Sequence, residues 1–498
     1  MKFNNKLGRK ACVAGLAFAT AMAMVPTAAF AKVSLNDNTS DFIINRVSPG
    51  DTVTAYQILN RHYDAASNNV TDTWFDTDES TLSMDDFLGA TTDGYTYNPN
   101  TQMQQYADKI AASITSGTET ALQQPYSKKA TGTSVTFESV PAGEYLVLVT
   151  GTNGVKKVYQ NTIVNAGPAA ENGKYVTNAP TVDIKSSDET VSKGVGTTAE
   201  DATSKKTADG LYGIGDLVPF VISTTIPQYP ADSSKATFVI GDTPSAGLEL
   251  QSDGVTVTVG GKQVAAGDST YTLSVQGGSM TITFAKDYIL KNPGQSVLVN
   301  YKAKVTSDAK VTSKDTTNNT ATITFNPNPY TDGTSQPSDT DQVKTYGLFF
   351  VKKGDGQPLA GATFKIKKQG ASDYLKDENG KDLESTSDKN GYVWFEDLAK
   401  GTYTLVETSA PTGYQKVADF DVTIDGKGTA DNPATTDVTE ANYVQYSKDT
   451  GVTDPKVGLL PTTGDAGTIG LTAAGICLVA GSAFVIAGHN KRAKKNED

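Results

Sequence analysis

The sequence predicts an all-β protein built from tandem immunoglobulin-like β-sandwich domains, the first with a short helical insertion. Two observations carry that expectation. Short segments that alternate apolar and polar residues recur along the chain, among them "VTVTV", "YTLSV", "MTITF", "SVLVNYKAKV" and "ATITF", with Gly, Asn and Asp at the breaks between them. Helical spacing stands out in one place, "MQQYADKIAASI", where Met103, Tyr106, Ala107, Ile110 and Ile114 fall on one face.

The elements follow in chain order. Lys2, Lys6, Arg9 and Lys10, an apolar run from Ala11 to about Val25, and Ala29-Phe30-Ala31 read as a secretory signal peptide over 1–31, cleaved after Ala31. A first domain is expected over 32–183. It opens with "DTVTAYQIL", carries the helix on a sheet, and closes with "TSVTFESVPAGEYLVLV" and "VYQNTIV". A second spans 184–342 and ends in "NPNPYTDGTSQPSDTDQ", whose Pro, Ser, Thr and Asp suggest a linker. A third spans 343–455 with "GLFFVKK", "ATFKIKK", "GYVWFEDL", "TYTLVET" and "DFDVTI", followed by a short tether. The last segment, 456–498, holds Leu460-Pro461-Thr462-Thr463-Gly464, a charge-free stretch from Ala466 to Gly488, and a tail with Lys491, Arg492, Lys494 and Lys495. That stretch is long enough to span a bilayer, and the basic tail would stay in the cytoplasm.

Charge and cysteine content exclude several functions. Without the eight Lys/Arg and three Asp/Glu of the two ends, 35 Lys/Arg face 52 Asp/Glu, a net −17 that argues against nucleic acid or anionic membranes as partners. Cys12 and Cys477 both lie in the ends, so the mature chain has no thiol for a nucleophile, a thioester, a disulfide or a zinc–thiolate site. His62 is the sole mature histidine and sits in the polar "NRHYD", where a surface role is expected. The acidic "DTDES" and "DENGKD" lack the residue order of a calcium loop and read as solvated turns. No cofactor or metal is called for.

Strand periodicity then exposes an anomaly, because residues two apart share a face. Val191, Lys193 and Val195 share one; so do Phe238, Ile240 and Asp242, and Asn319, Ala321, Ile323 and Phe325. The third domain repeats the set with Phe349, Val351 and Lys353, with Tyr403, Leu405 and Glu407, and with Asn442, Val444 and Tyr446. Unpaired, such buried groups cost several kcal/mol, roughly, so they must satisfy one another. Buried hydrogen-bonded polar groups are one solution. The other is covalent: burial favours neutral amine and neutral acid, the amine attacks the asparagine carboxamide, the acid relays protons, and ammonia leaves.

Here the residues resemble a known family. "GDLVPFVISTTIPQY", "IGDTPSAGLEL" and "NNTATITF" are similar to the Cna A-like domain of the major (backbone) pilins of Gram-positive bacteria, and "VKKGDGQPLAGATFKI" and "YTLVETSAPTGY" to their Cna B-type domain. The LPxTG pentapeptide, apolar span and basic tail resemble the sorting signal of Gram-positive surface proteins. The resemblance implies an isopeptide bond from Lys193 to Asn319 promoted by Asp242, and one from Lys353 to Asn442 promoted by Glu407. Lys353 is preferred to Lys352 for its shared face and the family's Lys-x-Asp pattern. Asn318 competes with Asn319 if the register slips, and "ANYVQYSK" departs from the family's usual Val-x-Asn ending. "GEYLVLVTG" has no Glu where the third domain has Glu407, so no bond is expected in the first domain.

The resemblance further implies a structural subunit of a cell-wall-anchored surface pilus that supports adhesion. A pilin-specific sortase would attack the Thr463 carbonyl and expel Gly464, and a lysine of an identical subunit would resolve the thioester. A housekeeping sortase would join the last subunit to peptidoglycan, with minor pilins as further partners. Lys185 alternates with Asp183 and Ser187, opposite Val182 and Ile184, and is the expected acceptor, with Lys174 as competitor because the family's Tyr-Pro before that lysine is missing. A monomeric wall-anchored adhesin of the collagen-binding kind is the alternative. A wall-anchored enzyme lacks a recognisable nucleophile–base pair.

Overall fold

The computed structural model describes residues 38–74, 103–117, 125–151, 156–167, 169–171, 174–176, 179–205, 208–311, 317–330, 332–426 and 443–457. Thus the signal segment, the 460–464 pentapeptide, the 466–488 stretch and Asn442 lie outside the described residues. Among the described residues no helix is long and apolar enough to cross a membrane.

Three β-sandwiches follow one another. In the first, Thr39–Asn45 sits between Thr181–Asp183 and Ser134–Pro141, facing a sheet ordered Asn69–Trp74, Thr52–Asp64, Gly143–Thr150, Thr162–Ala166. Gly143–Thr150 is apolar on both faces because both are covered. Tyr145, Val147 and Val149 meet Phe42, Ile44 and Phe137 between the sheets. Leu146 and Leu148 lie with Ile58 and Leu59 against Ala107, Ile110 and Ala111 of the helix Met103–Ser116, which therefore packs on the outer face.

In the second domain, one sheet runs Val191–Val195, Leu217–Thr225, Ser296–Val305, Thr256–Val259, Lys262–Val264. The other runs Ala208–Asp209, Ser338–Lys344, Thr317–Phe325, Phe238–Pro244, Ser279–Phe284, Tyr271–Gln276. The expected linker is not one. Ser338–Lys344 pairs with Thr317–Phe325, and its acidic residues have structural partners: Asp339 Oδ2 accepts from Lys193 N at 2.8 Å and Asp341 Oδ2 from Val195 N at 2.9 Å. Tyr330 is buried beside the helix of the first domain and accepts from Asn161 Nδ2 at 2.7 Å, while Asn328 Nδ2 donates to Thr150 Oγ1 at 3.0 Å. Polar composition suggested a flexible segment, but each of these groups is spent on another element.

In the third domain, Tyr346–Gly354 lies in the middle of its sheet, antiparallel to Tyr392–Leu398 and parallel to Tyr443–Gln445 and Val452–Asp454. The facing sheet is ordered Glu384–Thr386, Thr363–Lys368, Gly401–Ser409, Phe420–Ile424. The fold continues past 454: Lys456 pairs with Asp355 at 2.8 Å, and Val457 N donates to Gly413 O at 2.9 Å. Thr345, fully buried, joins the second and third domains. Across that joint Tyr346 Oη donates to Asp209 Oδ1, Lys400 Nζ pairs with Asp209 Oδ2, and Ile214 N donates to Asp397 O, each at 2.6 Å.

Candidate functional site

Among the described residues, each of the second and third domains holds one lysine that is wholly removed from solvent. In the second, Lys193 on the edge strand Val191–Val195 points between the sheets, in phase with Val191 and Val195 as the alternation requires. Asp242 and Asn319 reach it from the opposite sheet, where Pro244 is registered with Asn319 and Asp242 with Ala321. Lys193 Nζ lies 2.6 Å from Asp242 Oδ2. It also donates to Tyr301 Oη, which in turn accepts from Asn319 Nδ2 at 3.0 Å. Phe220 and Tyr301 place their rings 4.6 and 4.8 Å from Nζ. All four polar residues are at most 2 % exposed. Asn318, on the other face, is half-buried and its backbone N–H donates to Ser245 Oγ, so the register favours Asn319.

The electrostatics follow from dry surroundings. Burial pushes the Lys193 ammonium below its ordinary value against the pull of Asp242. It pushes the Asp242 carboxyl up, opposed by Lys193, Tyr301 and Asn319. Each displacement favours the neutral form. Two buried oxygens, Asp242 Oδ1 and Asn319 Oδ1, have no hydrogen-bond donor, and a proton on Asp242 would supply one.

In the third domain the expected lysine is corrected. Lys353 is half-buried on the opposite face; Lys352 is the one enclosed. The face assignment failed because Tyr346–Gly354 is aromatic on both sides. Leu348, Phe350 and Lys352 belong to the inner face, while Phe349 stacks on Trp394 at 4.6 Å in an outer cluster with Val311 and Tyr443. Val444 and Tyr446 do lean on the domain core.

Lys352 Nζ is 3.3 Å from Glu407 Oε2, on the facing sheet, and donates to Asp454 Oδ1, on the neighbouring parallel strand. Val417 N donates to Glu407 Oε2 at 2.7 Å. Burial raises Glu407 to about 7, with Asp454 adding to the rise and Val417 and Lys352 opposing it. Asp454 was not foreseen. It falls in "GVTDPK", where three residues of strand are too few for a period to show, and it takes the place beside the lysine expected for Asn442.

Outside these clusters, Glu144 is, with Asp51, one of the fully buried acids of the first domain, and Arg61 lies 3.6 Å from it. His62 is exposed. Lys185 is exposed, directly after buried Ile184, and its carbonyl accepts from Gln160 N at 2.9 Å. Lys174 opens the short strand Lys174–Val176, paired with Ala169–Glu171.

Comparison with known proteins agrees with this architecture. Residues 214–331 match the model for Gram-positive pilin backbone subunit 2, Cna-B-like domain; 347–438 match the SpaA prealbumin-like fold domain; 453–498 match the LPXTG cell wall anchor motif. The second domain, which by sequence resembled the Cna A-like kind, is thus matched by a model of the Cna-B-like kind. Fimbrial subunit type 2 of Actinomyces naeslundii is 27% identical over 416 residues, 73% of this chain and 72% of that protein. The trypsin-resistant surface T6 protein of Streptococcus pyogenes serotype M6 is 25% identical over 441 residues, 81% and 74% of the two chains. The solved T6 backbone pilin, described as a modular three-domain structure, superposes with a TM-score of 0.61 at 20% identity, covering 85% of this chain and 99% of that one. With pilin-backbone, SpaA and anchor matches in order along three sandwich domains, the comparisons support a major (backbone) pilin of Gram-positive bacteria, anchored to the cell wall.

Proposed function

We propose that this shaft subunit is closed internally by two autocatalytic amide cross-links and polymerised head to tail by sortase. The observation that carries the reading is that each of the two wholly buried lysines lies against a carboxyl, in domains with no cysteine. In the second domain, neutral Lys193 attacks the carboxamide carbon of Asn319, protonated Asp242 polarises its oxygen, and ammonia leaves. In the third, Lys352 attacks the Asp454 carboxyl and water leaves. Asp454 rather than Glu407 is the electrophile, because Lys352 makes its closer contact there and Glu407 is held by the Val417 N–H. Glu407, able to carry a proton near neutral pH, is then the acid–base group.

The intersubunit bond joins Thr463 of one subunit to Lys185 of the next. Lys185 is favoured by its exposure at the junction of the first two domains. Such a contact is heterologous and does not close, so it yields a filament. A pilin-specific sortase cleaves Leu460-Pro461-Thr462-Thr463-Gly464 while the 466–488 stretch retains the precursor in the membrane. A housekeeping sortase then attaches the finished fibre, including any minor pilins, to peptidoglycan.

Two measurements test this. An immunoblot of wall extracts boiled in detergent should show a ladder of multimers that collapses on Lys185→Ala. A single wall-linked band from the unaltered chain would instead support a monomeric adhesin. The intact mass of the mature subunit should fall short of its sequence by one ammonia and one water; a mass equal to the sequence refutes both internal bonds.

A further inference from the structure

The second-domain reaction requires a proton transfer besides the polarisation assigned to Asp242. When the Lys193 amine adds to Asn319 Cγ, the new C–N bond leaves positive charge on Nζ and negative charge on Oδ1. The Cγ–Nδ2 bond breaks only if Nδ2 gains a proton, since an amide anion is too basic to leave. One proton must therefore travel from Nζ to Nδ2. Asp242 touches Nζ through Oδ2 at 2.6 Å, and its Oδ1 is needed at the carbonyl oxygen. The hydroxyl in contact with both nitrogens is that of Tyr301, which accepts from Asn319 Nδ2 at 3.0 Å and from Lys193 Nζ.

We propose that Tyr301 is a catalytic residue of the Lys193–Asn319 cross-linking reaction, relaying the proton from the attacking amine to the departing one. This rests on the cross-link reading above. In the planar amide, Nδ2 is a donor with its lone pair delocalised into the carbonyl. Once Cγ is tetrahedral that lone pair is free and basic, and the same contact reverses direction. The Tyr301 hydroxyl hands its proton to Nδ2 while taking one from Nζ. Ammonia departs, the Oδ1 electron pair restores the carbonyl, and Tyr301 ends as it began. No phenolate forms, which suits a group that burial holds well above its ordinary value. Within the site, Asp242 stabilises the oxygen and Tyr301 serves the nitrogens. Among the described residues the third-domain cluster presents no tyrosine to Lys352, and none is required there: the departing group is a carboxyl oxygen, which Glu407 can protonate.

The test follows full-length chain made in a pulse of synthesis and sampled over time. Peptide mass spectrometry counts the 193–319 and 352–454 cross-links separately. Tyr301→Phe keeps the ring beside Nζ and removes only the hydroxyl. The 193–319 link should form at least tenfold more slowly, while the 352–454 link keeps its wild-type rate. Equal rates for the 193–319 link in both chains overturn the relay. If wild type lacks that link altogether, it is the underlying cross-link reading that fails. Lys193→Ala, in which no such link can form, sets the protease resistance expected of a folded, unlinked second domain. Should Tyr301→Phe fall below that reference, 3-fluorotyrosine at 301 replaces it. A more acidic hydroxyl of the same shape must change the rate, and an unchanged rate overturns the proposal.

Discussion

The second and third domains bury the same kind of group in different geometries. In the second, Lys193 leaves one sheet and meets Asp242 and Asn319 on the other, so a bond there sews the two layers together. In the third, Lys352 and Asp454 stand on adjacent parallel strands of one sheet, 102 residues apart in sequence, with only Glu407 across the sandwich. Yet each bond would connect the entering strand of its domain to a strand near its exit. Tension along a fibre would then run through the cross-link and bypass most of the fold. What matters is which strands carry the load, and either sheet arrangement can satisfy that. The first domain has Arg61 against Glu144 instead, and a guanidinium, always protonated, is no nucleophile.

The largest effect is expected from Lys352→Met. It removes closure of a loop of about 100 residues, worth about 4–5 kcal/mol in the chain-entropy account, and leaves Glu407 and Asp454 facing each other without a cation. Denaturant unfolding of the purified subunit should show the third domain losing at least that much, with the second unchanged. Lys193→Met should cost the second domain somewhat less. Its partners are then one acid, which burial already biases towards neutrality, and an amide. Equal losses in the two domains would mean that loop closure alone sets stability and the acid pair adds nothing.

These sites were unevenly legible. The second-domain lysine, acid and amide could be read from alternation because their strands are five to nine residues long, with large apolar neighbours mainly on one face. Tyr301 was visible in "SVLVNYKAKV", in phase with Val297, Val299 and Ala303. An inward tyrosine reads as core, and nothing local says that its hydroxyl has work to do. Lys352 was lost because aromatic residues on both faces of its strand cancel the alternation. Asp454 was lost because its strand is three residues long. The 338–344 strand reads as linker by composition, because its acids bond to a neighbour's backbone, a relation composition does not encode.

A smaller effect separates burial beside a lysine from burial without one. Glu189, at the joint of the first two domains, is 1 % exposed, accepts from Ser187 Oγ at 2.5 Å, and is raised by burial to about 7. Its folded value lies above its unfolded one, so the folded state holds the proton more tightly. That contribution is full below about pH 4.5 and is lost as pH rises through about 7, a swing of roughly 3 kcal/mol at most. Glu189→Gln should remove this share. The difference between wild-type and variant stability, followed from pH 4 to 8, should track one proton; a difference independent of pH would show that the carboxyl is ionised throughout.

The finest distinction concerns how each lysine strand is held. Tyr346–Gly354 has backbone ladders on both sides, Tyr392–Leu398 on one and Val452–Asp454 on the other. Val191–Val195 is an edge strand with one ladder, to Leu217–Thr225, and on its open side Asp339 and Asp341 accept from the Lys193 and Val195 N–H groups. Two carboxylates thus stand in for the missing strand and keep the lysine in register. Asp341→Ala should cost about 1–3 kcal/mol, the usual range for leaving a buried donor unsatisfied. Because the pinned strand carries Lys193, it should also lower the fraction of chains with the 193–319 link at early times while sparing the 352–454 link. Asp341→Asn retains an acceptor oxygen and should restore most of that fraction. If Asp341→Ala cross-links at the wild-type rate, the edge strand is held by its single ladder, and the two lysine strands are equivalent after all.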